Sequence, residues 1–180
     1  MSVRVGLRDV YYAMLTQDND IGVAYQAPER IIGAITANIN PNPSTETLFA
    51  DDGPMIVAST LGEIELELTM AHLPIDVIAA LLGHAVVANK LIKSAADIPP
   101  WLALGFRALK ANGNYRYVWL LKGKFMVPEE VHETRGDTID FQTPTINGSF
   151  VRRDFDDNYQ YVQDEDDAPV VDWFTTGALA

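Results

Sequence analysis

The chain has 180 residues, 48% hydrophobic and 21% charged, a balance typical of folded globular proteins and unlike that of disordered or fibrous chains. Its formal net charge of −12 would repel the phosphate backbone of DNA, and the absence of cysteine excludes disulfides, thiolate metal sites and cysteine nucleophiles. No apolar run approaches the roughly 18 residues that span a bilayer and no signal-type segment opens the chain, so we expect one soluble, non-secreted domain.

The first third of the chain predicts two strands and a long connection. Residues 7–16 are rich in aromatic and aliphatic side chains, and residues 31–39 alternate apolar and polar side chains, so both segments predict strands. The Asn-Pro-Asn-Pro stretch at 40–43 is expected to end the second strand firmly. Strand signals are weak between residues 40 and 62, which predicts a long loop.

Such a loop is longer than compact domains normally keep unless it has a function. Apolar side chains within it would suit a partner surface. The alternatives are a loop folded over its own core and a small extra hairpin. The residues proposed to contact a partner are Leu48, Phe49, Met55, Ile56 and Val57.

Residues 63–70 give the clearest strand pattern, because apolar and polar side chains alternate strictly. Glu63, Glu65 and Glu67 therefore share one face, which is either a solvated strand surface or the acidic lining of a cavity or channel. The next segment has Pro74 early, apolar side chains at helical spacing and Gly83 where a left-handed cap would lie. It predicts one short amphipathic helix.

Residues 101–127 predict a β-hairpin that turns at Ala111-Asn112-Gly113-Asn114. Its aromatic side chains are expected to bury one face in a core and leave the other face for pairing. Two further strands are predicted near 144–153 and 159–163. An acidic run at 164–167 is expected to keep the apolar tail apart from the core strands. That tail, which contains Val171, Trp173 and Phe174, then needs a docking site on its own subunit or on another.

Catalytic and metal-binding patterns are weak in this sequence. His72, His84 and His132 have no metal-site spacing, and Ser149 is not in a nucleophile motif. The segment from Asp154 to Glu165 places oxygen ligands as a calcium loop would, but Tyr159 stands where such a loop needs glycine. No glutamate is marked as a glycosidase acid. We therefore expect no enzyme activity and no cofactor.

Several longer segments resemble the major tail proteins of long, non-contractile-tailed bacteriophages, and together they cover nearly the whole chain. They are GLRDVYYAML at 6–15, ADDGP at 50–54, LGEIELEL at 61–68, LGFRALKANGNYRYVWLLKGKF at 104–125, DTIDFQTPTINGSFV at 137–151 and DEDDAPVVDWF at 164–174.

The resemblance implies a single tail-tube domain over residues 1–180: two packed antiparallel sheets, a β-sandwich, flanked by a helix. It divides the chain into an N-terminal arm at 1–6, a long assembly loop at 40–62 and an acidic and apolar C-terminal arm at 164–180. It implies a virion protein, made in the cytoplasm of a host bacterium, that forms stacked hexameric rings. Partners would be sibling copies, a tape-measure protein and tail-end proteins.

In such a tube, DNA passes through the lumen without specific binding, and no membrane is involved. We expect Glu63, Glu65 and Glu67 to line that lumen, because carboxylates repel phosphate within a Debye length of roughly 8 Å. A carbohydrate- or calcium-binding β-sandwich module of a virion is the alternative function. The two differ in particle size, since only the tube subunit would form larger species as its concentration rises.

Overall fold

The computed structural model describes residues 3–50, 53–130, 143–166 and 168–179. Within them the chain is mainly β, with one short α-helix and antiparallel strands in a large and a small sheet, as the sequence predicts. The strands are β1 (Arg4–Asn19), β2 (Gly22–Tyr25), β3 (Glu29–Ile31), β4 (Ala34–Ala50), β5 (Gly53–Met70), β6 (Ala85–Val87), β7 (Lys90–Ile92), β8 (Leu102–Lys110), β9 (Tyr115–Phe125), β10 (Thr145–Val151) and β11 (Gln160–Asp164). The helix is α1 (Ile75–Leu82), and a 3-10 helix, Thr176–Ala178, lies near the C-terminus.

The large sheet runs in the order β2-β1-β8-β9-β10-β5-β4, with β3 also pairing β1 and β11 also pairing β9. Only Ile32 and Gly33 separate β3 from β4, yet these strands pair at opposite ends of that order. The sheet must therefore curl until its two ends approach each other. Gly33 makes this link with a φ of 95°, and its carbonyl accepts the Ala71 N–H at 2.7 Å.

The main core fills the inside of the curled sheet, where strands and helix contribute aliphatic and aromatic side chains. Helix α1 closes it with Leu81 and Leu82. The helix ends as predicted, because Gly83 adopts the left-handed conformation (φ 73°) in which a side chain would be strained. Strand residues of this core include Val10, Tyr12, Ile31, Ile64, Leu66, Leu68, Met70, Leu102, Leu104, Phe106, Val118, Leu120, Phe125, Ile146 and Phe150.

The predicted hairpin is confirmed as β8 and β9, joined by the turn at 111–114. The expectation that one of its faces stays open for pairing is wrong. Ala103, Trp119 and Leu121 form a second buried cluster on the face away from the main core, and the C-terminal segment covers them. Both faces are buried because the main core covers one and the C-terminal segment covers the other, and the near-continuous apolar sequence of β8 and β9 reflects this.

Three segments differ from the expectations. Residues 40–50 and 53–62 lie in β4 and β5, not in a loop, so the strand does not stop at the Pro41 and Pro43 stretch. Proline is tolerated there because β4 is a sheet edge and the register shifts between these two prolines. The predicted N-terminal arm pairs with β8 from Arg4 onward. Strands β6 and β7 form a small hairpin that the sequence did not predict.

Glycines within the strands leave room for aromatic rings in the core. A Cβ added at Gly123 would lie 2.4 Å from the ring of Phe150, a side chain with no exposed surface. We predict that Gly123→Ala lowers the free energy of unfolding by about 1–3 kcal/mol, the usual cost of overpacking a core. Urea denaturation would measure it, with Gly6→Ala as the control because that strand position has open space around it. Equal effects of the two substitutions would contradict the prediction.

Candidate assembly surfaces

The most extended feature of the fold is the outer part of the β4–β5 hairpin, residues 43–50 and 53–61, which we call the hairpin arm. In the described chain these residues pair only with each other, in a register that includes Pro43 with Leu61 and Ser44 with Thr60. Pairing of β5 with β10 begins only at Ile64. The arm therefore extends past the sheet, and β4 presents an unpaired backbone edge along its length among the described strands.

The residues predicted to contact a partner lie on this arm. Leu48 pairs with Ile56 and Thr47 with Val57 in the backbone register. The side chains of Leu48, Phe49, Met55 and Ile56 lie outside the part of the chain that the structure describes, so their contacts stay predictions. Val57 is 63% exposed, and Leu61, on the same face of β5, is 46% exposed. The described arm thus carries apolar side chains that its own subunit does not cover.

The strict alternation of β5 places the three glutamates where the sequence predicted, on one exposed face opposite buried aliphatic side chains. Glu63 accepts a hydrogen bond from the Ser149 hydroxyl at 2.8 Å, and Glu67 accepts one from the Asn38 amide at 3.3 Å. These groups line an open groove of about 600 Å³ across β4, β5 and β10. The glutamates have no lysine or arginine partner among the described residues, so this face keeps its negative charge.

The C-terminal segment docks on its own subunit. Phe174 stacks on Tyr11 with ring centroids 4.3 Å apart, and the indole N–H of Trp119 donates to the Trp173 carbonyl at 2.9 Å. Leu179 is fully buried in the same cluster. Val171, the remaining predicted docking residue, is 74% exposed and makes no such contact. The sequence left open whether this segment docks on its own subunit or on another. In the structure it docks on its own subunit.

Ion pairs fix the acidic residues that precede this segment. Lys110 contacts Asp166 at 2.6 Å and Asp164 at 3.0 Å, and Arg116 holds Asp164 through two N–H groups. Hydrogen bonds from Arg116 and then Lys110 hold the pKa of Asp164 well below its usual value. The acidic run thus anchors the segment to the hairpin instead of separating it. The signal in the sequence for this contact is the opposite charge of residues 110–116 and 164–166.

The residues from Asp154 to Glu165, which resemble a calcium loop in sequence, make other contacts in the structure. Lys122 binds Asp154 at 2.8 Å, Arg153 binds Asp156 through two N–H groups, and Glu165 accepts the Tyr115 N–H at 3.0 Å. Burial would raise the pKa of Asp156, but the hydrogen bonds from Arg153 and Asn158 outweigh it and lower the pKa to about 2. In a calcium site, these oxygens would converge on one ion. Here they contact cationic side chains and a backbone N–H instead.

Within the described ranges, no three His, Asp or Glu side chains are close enough together to hold a metal ion. His84 instead pairs with Asp97 at 2.7 Å, and His132 lies outside the described residues. No helix in the described part of the chain is long and apolar enough to cross a membrane.

The chain matches no protein-family model and no curated protein. The resemblance to tail tube proteins therefore depends on the sequence segments that carry it.

Proposed function

We propose that the chain is a self-assembling structural subunit, of the kind that builds the tail tube of long, non-contractile-tailed phages. The observation that carries this proposal is the hairpin arm. It projects beyond the sheet, leaves both of its outer backbone edges unpaired among the described strands and exposes Val57 and Leu61. An edge of this kind invites pairing with another chain, and a soluble protein must blunt, cover or close it.

Closure by sibling copies accounts for these features together. In a heterologous contact, the arm of one subunit meets a different surface of the next subunit, and a ring forms when the rotation divides the circle. The hexameric ring, the stacking of rings, the tape-measure and tail-end partners and the virion location come from the resemblance and belong to the proposal. So does the absence of catalysis.

The proposal also includes that the acidic face of β5 lines the lumen of the tube. Glu63, Glu65 and Glu67 are exposed and have no cationic partner in the described chain, as a wall that repels DNA requires. The same exposure suits the outer surface of a tube. A map of the assembled particle with all three glutamates outside the lumen would refute this part and leave the subunit function intact.

Particle size against concentration tests the function. We expect purified protein to form rings and tubes as its concentration rises, visible by negative-stain microscopy and as growing species in light scattering. A chain that stays monomeric at every concentration, alone and with tail-tip proteins from a phage lysate, would refute the proposal. The alternative function, a carbohydrate- or calcium-binding β-sandwich module, would then be favoured.

A further inference from the structure

The small sheet of β6 and β7 has little support from the rest of the subunit. Its two strands of three residues are joined by a two-residue turn and pair with no other described strand. A two-stranded hairpin is at best marginally stable in water unless a third strand or a packed face supports it. The register sets Val87 opposite Lys90 and Ala85 opposite Ile92, so these four side chains share one face, which we call the β6–β7 face.

The β6–β7 face is apolar and largely uncovered. Val87 is 57% exposed and Ile92 is 49% exposed, whereas Leu91, on the opposite face of the hairpin, is half-buried. Ile98, which follows the hairpin in the chain, is 74% exposed. Apolar side chains that are exposed together in this way mark contact sites for another protein.

The turn of this hairpin adds a local cost. Ala88 and Asn89 have φ values of 49° and 61°, in the left-handed region that two-residue hairpin turns require. Asparagine tolerates this conformation, but in alanine the Cβ comes too close to the following carbonyl oxygen. The hairpin is therefore weakly specified by its own residues, and a partner that covers it would stabilise it.

Contacts at the base of the hairpin fix its position on the subunit. The imidazole Nδ1 of His84 lies 2.7 Å from the carboxylate of Asp97, which also accepts the Ser94 N–H at 2.8 Å. Lys93 pairs with Glu130 beyond the end of β9. A surface held in place before binding loses little conformational freedom when a partner docks on it.

The β6–β7 face and the hairpin arm carry opposite charge. Residues 85–93 include two lysines and no Asp or Glu, and Lys90 has no acidic partner in the described part of the chain. Residues 43–61 include three acidic residues and no lysine or arginine. Opposite charge brings the two surfaces together, and like charge disfavours contact of one arm with another.

We propose that the β6–β7 face of one subunit receives the hairpin arm of a second copy of this chain. The arm contributes the exposed Val57 and Leu61, which would be buried against Val87 and Ile92. Because the arm and the face are different surfaces, the contact is heterologous and can repeat around a ring. This inference rests on the proposed self-assembly and names the surface that receives the arm.

Cysteine crosslinking tests this contact, because the chain has no native cysteine. Val57→Cys and Val87→Cys, made in separate full-length chains, place one thiol on the arm and one on the face. Under the conditions in which the parent chain assembles, we expect a short bis-maleimide to give a mixed covalent dimer, identified by mass spectrometry. In the control mixture Val162→Cys, a 51% exposed position on β11, replaces Val87→Cys and should give little mixed dimer.

Substitutions on the face give an independent measure. Val87→Ser combined with Ile92→Ser should raise the concentration needed for assembly at least about tenfold, because apolar burial against the arm is lost. Thermal unfolding should change little, because both side chains are already exposed in the subunit. Val162→Ser is the matched control and should assemble as the parent chain does.

The outcomes separate this inference from the proposed function. Assembly without the mixed dimer, or at a concentration unchanged by Val87→Ser and Ile92→Ser, would overturn the inference and leave self-assembly intact. A Val87→Cys homodimer as the main product would also overturn it, because it would show two β6–β7 faces in contact with each other. A parent chain that never assembles and gives no mixed dimer would overturn both.

Discussion

Replacing Arg153 with methionine is expected to lower the free energy of unfolding by about 3 kcal/mol, the low end of the cost of breaking a buried ion pair. The Arg153 side chain has no exposed surface, whereas Asp156 is 21% exposed and would regain some solvation. The guanidinium donates to Asp156 at 3.0 Å, to the Leu179 carbonyl at 2.6 Å and to the Tyr161 hydroxyl. Methionine fills similar space but leaves these acceptors without their donor.

Arg152 provides the control one residue away. It pairs with Asp157 on the surface, where both side chains are about 70% exposed. Such pairs contribute about 0–1 kcal/mol, so Arg152→Met should change stability little. Urea denaturation of both variants measures the difference. Adding Asp156→Asn to Arg153→Met should restore part of the loss, because the unpaired charge is removed. Equal stability of the two single variants would show that the buried contacts contribute nothing.

The contacts of Arg153 explain why the C-terminal segment stays on its own subunit. One side chain joins the turn at 154–158, strand β11 and the carbonyl of Leu179. The segment is therefore held at both ends, by Lys110 and Arg116 where it begins and by Arg153 where it ends. Loss of Arg153 should also free the last residues, which limited proteolysis of Arg153→Met would detect.

The elements predicted from sequence are those whose signals are local. The turn at 111–114 fixes one hairpin, Gly83 fixes the end of α1, and the alternation of 63–70 fixes which side of β5 is buried. Each signal lies within a few residues and needs no knowledge of distant neighbours. The same locality gives the exposed positions of Glu63, Glu65 and Glu67.

The missed features depend on tertiary position. Pro41 and Pro43 would end a central strand, but β4 lies at an edge where a missing N–H is tolerated. Strands β6 and β7 were missed because their hairpin is exposed and shows no buried alternation. The docking of Trp173 and Phe174 could not be predicted without knowing that the rest of the sheet leaves one apolar face of β8 and β9 for the C-terminal segment to cover. The contacts of Arg30 and Arg107 with Asp9 were missed because these residues come together only through strand register.

Shortening the hairpin arm is expected to abolish assembly while leaving the subunit folded. Ser44 and Thr60 are paired in the register, so residues 45–59 can be replaced by Asn-Gly, which favours a tight two-residue hairpin turn. The removed residues pair only with one another in the described chain, so the core should keep its packing. We expect near-unchanged thermal unfolding and monomeric sedimentation at concentrations at which the full chain forms rings or tubes.

A full-length arm with Val57→Ser and Leu61→Ser separates two contributions to that loss. This variant keeps the backbone edge of β4 but makes the exposed apolar face of β5 polar. If apolar contact with a neighbour provides most of the affinity, it should raise the concentration needed for assembly about as much as shortening does. If edge pairing dominates, it should still form tubes. Tubes of the shortened chain, seen by negative-stain microscopy, would show that the arm is dispensable, and the observation on which the proposed function depends would then have another cause.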